Sequence, residues 1–442
     1  MQRILFVFTL LALVCNTASF AAEKPNIIFI MVDDMGYHDL GCFGSKTIQT
    51  PRIDAMAKEG IRFTDCYSGD TVCAPARSVL MTGLHKGHTP VRGNSGGIPL
   101  FPEDVTVAEV LKKAGYATGG FGKWGLGNQG KPGAAENQGF DVFCGYYNQW
   151  HAHDYYRHLF RNSKKINEEK RYTHYVIFED TLKFIRENKD KPFFCYCPWT
   201  PPHAAYQIPE TDPAWQLYKD KPWEGSAKVA AAMDTMMDTN VGQILDLLKE
   251  LKLEEKTIIF FCSDNGAAKR FDGIHNSCGE MQGHKRSFYE GGIRVPMVVR
   301  WKGTIKPGQV SAFPWYFADV MPTLAALAGV TKEMPKKVDG ISIVPTLLGK
   351  GKQEKRDYMY WNVGAAVVRS GNWKGIRSKS KKMMLFDLSK DIGEKNDLAA
   401  EQPELVAKMH KWMDEANEPA RSQKDDGKYT GADPGAKKKK KK

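Results

Sequence analysis

Apolar residues fall along this chain in two kinds of run, and each predicts a different element. The first kind is unbroken and rich in β-branched and aromatic residues: Ile27 to Val32 in "PNIIFIMVDDMG" and Thr257 to Cys262 in "KTIIFFCSDNGA". A strand with one wet face alternates apolar and polar residues, so these runs predict strands buried on both faces. "KPFFCYCPWTPPH" predicts another strand over Pro192 to Trp199, ended by its prolines, and "GIRVPMVVRW" predicts a fourth. The second kind is periodic. Between Val229 and Lys252, the residues Met233, Met237, Val241, Ile244, Leu248 and Leu251 are spaced by three and four. That spacing predicts a helix with one buried stripe and assigns its methionines to the core. Strands alternating with helices predict an α/β fold, a mostly parallel sheet between helical layers.

After "LLGKGKQEKR", Leu347 to Arg356, the runs shorten. Strands are predicted at Tyr358 to Asn362, Ala365 to Arg369, Trp373 to Arg377 and Met383 to Asp387, followed by a helix from Pro403 to Asn417. This is the pattern of a small antiparallel α+β subdomain packed on the main one. The chain thus divides into an N-terminal segment 1–22, a main domain 23–350, a subdomain 351–418 and a disordered basic tail 419–442.

The N-terminal segment carries Arg3, an apolar stretch from Ile4 to Cys15, and small residues up to Ala21 and Ala22. That is the layout of a secretory signal, and the stretch falls short of the roughly 20 apolar residues that span a bilayer. An exported protein, periplasmic or extracellular and without stable membrane insertion, is expected. The net charge of +12 includes six lysines in the last six residues, Lys437 to Lys442. A solvated tail therefore carries half of it, and no zinc-finger spacing or basic helix points to nucleic acid. Eight of the nine cysteines remain once Cys15 leaves with the signal. An even number in an exported chain permits disulfides, but the spacing names no pairs. Cys195 and Cys197 alternate along one strand and do not easily bridge each other.

The first two strands end in carboxylates: Asp33 and Asp34 after one, Asp264 and Asn265 after the other. In an open α/β sheet, ligands bind beyond the carboxyl ends of the strands, where distant positions meet. Either Asp-Gly segment alone reads as an ordinary turn. Two of them at the ends of buried strands point to a metal site, and hard oxygen ligands without imidazole or thiolate select calcium or magnesium over zinc. "TVCAPARS" holds Cys73 and Arg77. Three residues separate them, too few for the phosphate-cradling loop of a cysteine phosphatase. A thiolate is also a poor ligand for an all-oxygen site. The mismatch disappears if the Cys73 side chain becomes an oxygen-bearing group.

"CAPARS" resembles the Cys-x-Pro-x-Arg signature of type I sulfatases, members of the alkaline phosphatase superfamily, in which the cysteine is oxidised to formylglycine. The resemblance extends over nearly the whole chain after the signal. "NIIFIMVDDMGYHDLGCFG", "TPRIDAMAKEGIRFTDCYS", "GYATGGFGKWGLG", "CSDNGA", "GHKRSFYEGGIRVPMVVRW", "DVMPTLAALAG" and "LFDLSKDIGEKNDLA" look like sulfatase segments in the expected order. It implies an alkaline phosphatase-like fold and a calcium ion held by Asp33, Asp34, Asp264 and Asn265, with formylglycine at Cys73 completing the shell. It further implies that Arg77 stabilises the formylglycine hydrate and that Lys123 and Lys285 contact sulfate. His203 is expected to bind sulfate and to protonate the leaving oxygen. A maturating, formylglycine-generating enzyme is the implied partner. The implied reaction cleaves the S–O bond of a sulfate ester, and a saccharide sulfate is the expected substrate.

One position departs from the family. Where its pattern reads Gly-Lys-Trp-His-Leu-Gly, this chain has Gly125, so another group must accept the proton that the histidine takes. "NQWHAHDYYRHLFRN" offers His153, favoured over His151; the alternative is an aromatic surface lid whose histidines only hydrogen-bond. Trp150, Tyr155, Tyr156, Trp199, Tyr206, Trp215 and Trp223 fall in loop-like segments where they could stack on sugars, and His88, Arg92 and Asn94 are candidates for reading the sugar. Two rival readings stand beside this one. A phosphomonoester or phosphonate-ester hydrolase of the same superfamily would share the metal ligands. A noncatalytic sulfated-glycan-binding protein would be consistent with Gly125.

Overall fold

The computed structural model describes residues 24–94, 98–271 and 273–421. The secretory signal expected over 1–22 and tail positions 422–442 lie outside the described residues. Ten strands form one sheet: β1 (Asn26–Val32), β2 (Ile61–Phe63), β3 (Ala117–Lys123), β4 (Val142–Tyr146), β5 (Leu159–Arg161), β6 (Lys164–Ile166), β7 (Phe193–Pro198), β8 (Thr257–Ser263), β9 (Met297–Arg300) and β10 (Gln309–Ser311). Their spatial order is β10-β2-β9-β8-β1-β7-β3-β4-β5-β6. The central strands β8, β1, β7, β3 and β4 are parallel. The strand in "GIRVPMVVRW", β9, runs antiparallel to both β8 and β2.

The unbroken apolar runs have the cause expected of them. Along β1, Ile27, Phe29 and Met31 face one core while Ile28, Ile30 and Val32 face the other. Each such side chain contributes about 1.5–3 kcal/mol on full burial. On the first face lies α1 (Cys73–Thr82), buried along its length and ended by Gly83 at φ 67°. On the second lie α2 (Thr173–Glu187) and α3 (Gly225–Glu250). Helix α3 begins four residues before the periodic pattern does, because Ala227 and Ala230 bury against Phe271. Alanines give little apolar signal in a sequence, yet they let the first turn approach closely.

The four short strands form a separate antiparallel sheet, β11 (Met359–Asn362), β12 (Ala366–Ser370), β13 (Trp373–Arg377) and β14 (Met383–Asp387). Helix α4 (Pro403–Glu415) covers it through Met409, Trp412 and Met413. A buried ionic cluster ties this sheet to the main domain: Lys374 Nζ on β13 lies 3.0 Å from Glu290, in the turn leading to β9, and 2.8 Å from Glu394, all three excluded from solvent. The eight described cysteines are all free thiols, so the disulfides that an even count permits do not form among the described residues. Cys195 and Cys197 sit with their sulfurs 3.6 Å apart on β7. Among the described residues no helix is long and apolar enough to cross a membrane.

Candidate active site

Strand register builds the centre of the site. Val32 pairs with Ser263, so the next residues of β1 and β8 emerge together at the carboxyl edge of the sheet. Asp34 N–H donates to Asp264 Oδ1 (3.3 Å), and Asn265 Nδ2 donates to Asp34 Oδ1 (2.7 Å). Asp34 takes φ 68°, a left-handed conformation that a side chain seldom adopts and that marks stored strain at functional sites. From the end of β3, Lys123 Nζ reaches Asp33 Oδ2 at 2.6 Å. The loop after β7 brings His203 Nε2 to 3.4 Å from Asp34 Oδ2. The Tyr155 hydroxyl holds that loop by donating to His203 O at 2.8 Å.

The first turn of α1 completes the cluster. Cys73 Sγ lies 3.2 Å from Asp33 Oδ1. Arg77, one helical turn on, donates to Asp264 Oδ2 (2.8 Å), to Asp33 Oδ2 (3.3 Å) and to the Lys123 carbonyl (2.6 Å), and it is wholly buried. Lys285 Nζ sits 2.5 Å from Asp34 Oδ1 and 3.5 Å from the Cys73 sulfur. No side chain of Val72 caps the start of α1. Instead Asn94 Oδ1 accepts the Ala74 N–H at 2.8 Å.

Charge balance sets the protonation states. Burial works against an ionised Asp33, but Lys123, His203, Arg77 and Lys285 outweigh it and hold the carboxyl well below its usual range. Burial and repulsion from Asp33 push Asp264 up to about 6, with Arg77 opposing. Burial, aided by Asp33, pushes the Cys73 thiol up to about 12. A plain thiol here is protonated and a weak nucleophile. Burial lowers His203, with Asp34 and Asp33 opposing. Burial lowers His153 further, because Lys123 and His203 add repulsion.

The donor set fits a hard divalent cation. Asp33, Asp264 and Asn265 are buried completely, and Asp34 lies beside them. The Asn265 amide nitrogen is occupied by Asp34 and the Gly266 carbonyl, whereas its buried oxygen has no hydrogen-bond partner. An orphaned amide oxygen among three carboxylates is the arrangement an oxygen-seeking ion satisfies. Asp33, Asp34, Cys73 and His203 also bring ligand atoms within 4.8 Å of one another.

Of the residues singled out in the sequence, Asp33, Asp34, Cys73, Arg77, Lys123, His203, Asp264, Asn265 and Lys285 come together. His153 joins them: its Nε2 lies 3.2 Å from Lys123 Nζ, and its ring stacks on His203 with centroids 3.8 Å apart. His151 does not, because the short helical turn aims its ring at His158, 5.1 Å away. Arg92 is committed elsewhere, to the carbonyls of Gly87, Thr89 and Glu418. His88 pairs with Asp339 at 2.8 Å. Asn94 stays next to Cys73, but its oxygen holds the helix start and is not left free for a sugar. Trp199 and Tyr155 are core residues, 0% and 1% exposed: Trp199 packs edge-on against His174 and Phe178 of α2, and Tyr155 stacks on Tyr172 just before that helix. No signal in the sequence marks Asn94 as a cap or Tyr155 as a support for His203, since both relationships cross between loops.

Comparison with known proteins gives one consistent result. A family model described as Sulfatase matches residues 25–330, and one described as N-sulphoglucosamine sulphohydrolase, C-terminal matches 280–419. The chain is similar to N-acetylgalactosamine-6-sulfatase of Homo sapiens, 31% identical over 379 residues covering 78% of this chain and 69% of that protein. It is also similar to arylsulfatase A of Homo sapiens, 30% identical over 468 residues covering 90% and 88%. Among solved structures, Ps i-CgsB in complex with k-i-k-neocarrahexaose superposes with a TM-score of 0.78 at 28% identity, covering 91% of this chain and 95% of that one.

Proposed function

The chain belongs to the sulfatase family, and on that premise we propose that it removes sulfate from a sulfated carbohydrate, using formylglycine made from Cys73 and a calcium ion. The observation that carries the reading is the setting of the Cys73 sulfur. It lies between Asp33 and Lys285, at the edge of a buried oxygen cluster in which a thiol is chemically out of place. The carbohydrate is supported by relatives that act on sugar sulfates by name and by the aromatic, partly exposed lid over residues 147–156.

Asp33, Asp34, Asp264 and Asn265 are the residues that would hold calcium. The ion would supply positive charge against the sulfate and lower the pKa of a neighbouring hydroxyl. Formylglycine, once hydrated, would supply an oxygen nucleophile and a second hydroxyl through which sulfate leaves. Arg77 fixes Asp33 and Asp264 and orients the start of α1. Lys123 and Lys285 bind sulfate oxygens from two sides, and their fixed charge stabilises what develops there during transfer. His203 gives a proton to the leaving oxygen; burial lowers its pKa and so makes the charged ring a stronger acid, while Asp34 beside it opposes that shift. His153, held neutral by its surroundings, takes the proton that has no acceptor at Gly125. Export to the periplasm or outside the cell is part of the proposal, supported by the apolar N-terminal segment, and conversion of Cys73 would require a maturating enzyme as partner.

Mass spectrometry of the peptide containing residue 73, from chain coexpressed with a maturating enzyme, tests this directly. An aldehyde in place of the thiol, together with sulfate release from aryl and sugar sulfates, is the expected result. Full activity with an unmodified cysteine would overturn it.

A further inference from the structure

We propose that Gln149 and Trp150 form the saccharide subsite of this enzyme, the buried Gln149 amide taking a sugar hydroxyl and the exposed Trp150 indole covering the sugar's apolar face. The inference rests on the sulfatase reading above and extends it to the leaving group.

Gln149 is 3% exposed, yet neither its amide nitrogen nor its amide oxygen has a hydrogen-bond partner. Buried amides are nearly always paired, because burial strips water from donor and acceptor alike. An amide lacking both partners beside a catalytic cluster is a group whose partner is a ligand. Its placement depends on Gly125. A Cβ at that position would run into the Gln149 amide nitrogen, and Gly125 takes φ 78°, which other residues resist. Gly125 N–H donates to Tyr147 O at 3.0 Å, so the strand end carrying Lys123 and the loop carrying Gln149 are pinned together.

Trp150 follows at once and is 59% exposed. Its ring lies 6.3 Å from that of His153 in a T-shaped arrangement, and His153 contacts Lys123 and stacks on His203. One short segment therefore supplies a recessed amide, an open indole face and an imidazole on the reacting centre. The chemistry divides the ligand between these groups. Sulfate is all acceptor and matches the ammonium groups of Lys123 and Lys285. A neutral amide both donates and accepts, which matches a hydroxyl. A sugar beside its sulfate presents a C–H face and a rim of hydroxyls, complementary to indole and amide together.

The test uses the full-length chain carrying Cys73→Ala, which stops turnover, titrated calorimetrically with galactose 6-sulfate, N-acetylgalactosamine 6-sulfate and inorganic sulfate. Adding Gln149→Met should weaken binding of the preferred sugar sulfate about tenfold and inorganic sulfate by less than about twofold. The same change should raise Tm, because the apolar isostere removes two unpaired buried polar atoms. Adding Trp150→Ala should also weaken the sugar sulfate about tenfold. Unchanged sugar affinity, equal losses for sugar sulfate and inorganic sulfate, a lowered Tm in Gln149→Met, or no binding of either sugar sulfate overturns the subsite. Turnover is read separately with Cys73 intact. Hydrolysis of an aryl sulfate with no Gln149 effect on sugar binding overturns the subsite alone. Sugar binding that depends on Gln149, with no hydrolysis of any sulfate ester, overturns the reaction alone.

Discussion

The Cys73 sulfur and the Lys285 ammonium lie 3.5 Å apart although 212 positions separate them in the chain. The same ammonium rests on Asp34 at 2.5 Å, so one cation touches both the proposed formylglycine position and a carboxylate proposed to hold calcium. Lys285→Ala should lower kcat/KM for sulfate esters by roughly 10²–10³-fold, the usual loss when one preorganised charge is removed from a transition state. Steady-state kinetics on an aryl sulfate checks this; a change under about threefold sinks the role.

Arg77 is a counter-ion to two buried carboxylates as well as a proposed part of the chemistry, and the two variants at this turn should therefore differ. Cys73→Ala removes a small buried side chain and should abolish hydrolysis while the fold persists. Arg77→Ala leaves Asp33 and Asp264 buried without their guanidinium and should cost about 3–5 kcal/mol of stability. Urea unfolding of the two variants separates them. Equal stability would mean that the carboxylates find their compensation elsewhere.

Calcium should stabilise the fold in proportion to how tightly it binds. Chelation should stop turnover and lower Tm, and readdition at about 100 times Kd should restore roughly 2.7 kcal/mol. Asn265→Ala removes the orphaned amide oxygen and should shift the calcium dependence to higher concentration without abolishing it. A Tm indifferent to calcium in the parent chain would show that the oxygen cluster is not a calcium site.

His153 and His151 make a sharp pair. His153→Ala should lower kcat by about 10²-fold or more, as expected for loss of a positioned proton acceptor, whereas His151→Ala should change it by less than about threefold because its ring is turned to His158. Burial and the charge of Lys123 lower the His153 pKa, so its neutral form persists into acid and the acid limb of kcat should lie below the ordinary imidazole range. Parallel pH–rate profiles of the two variants decide the matter.

A pH effect on stability should arise at the buried cluster around Lys374. Burial pushes Glu394 up to about 7, with Lys374 opposing and Glu290 adding repulsion. A carboxyl with a raised folded pKa binds its proton more tightly folded than unfolded. The stability it contributes is complete below its ordinary value of 4.5 and is lost as pH rises to about 7. Glu290 runs the other way: Lys374, Arg294 and Arg369 overcome burial and hold it at about 2, so its contribution is complete above 4.5 and is lost as pH falls toward 2. Between pH 4.5 and 7 the parent chain should lose on the order of 2 kcal/mol that Glu394→Gln does not lose. Denaturant unfolding across that window measures both slopes, and identical slopes would remove Glu394 as the cause.

Much of the fold was legible because burial on two faces leaves a strong imprint. The runs ending in Asp33 and Asp264 could hardly be anything but central strands, and their shared polar ends implied a shared site. The antiparallel course of β9 was not legible, since an apolar run has no direction until its neighbours are known. The early start of α3 escaped because alanines carry little pattern.

The sequence by itself determined the family and the list of candidate residues: carboxylates after two buried strands, Cys73 and Arg77 in a sulfatase-like signature, and lysines and a histidine in sulfatase-like segments. These depend on residue type and on order along the chain. Only the tertiary structure decided which candidates meet. His153 reaches Lys123 and His151 does not; Asn94 caps a helix; Arg92 ties the C-terminal segment at Glu418 to the loop after α1; Gln149 fills the space that Gly125 leaves. The reason is physical. These side chains sit in loops, where no periodicity fixes orientation, and their partners lie on other elements whose approach is set by packing across the whole sheet.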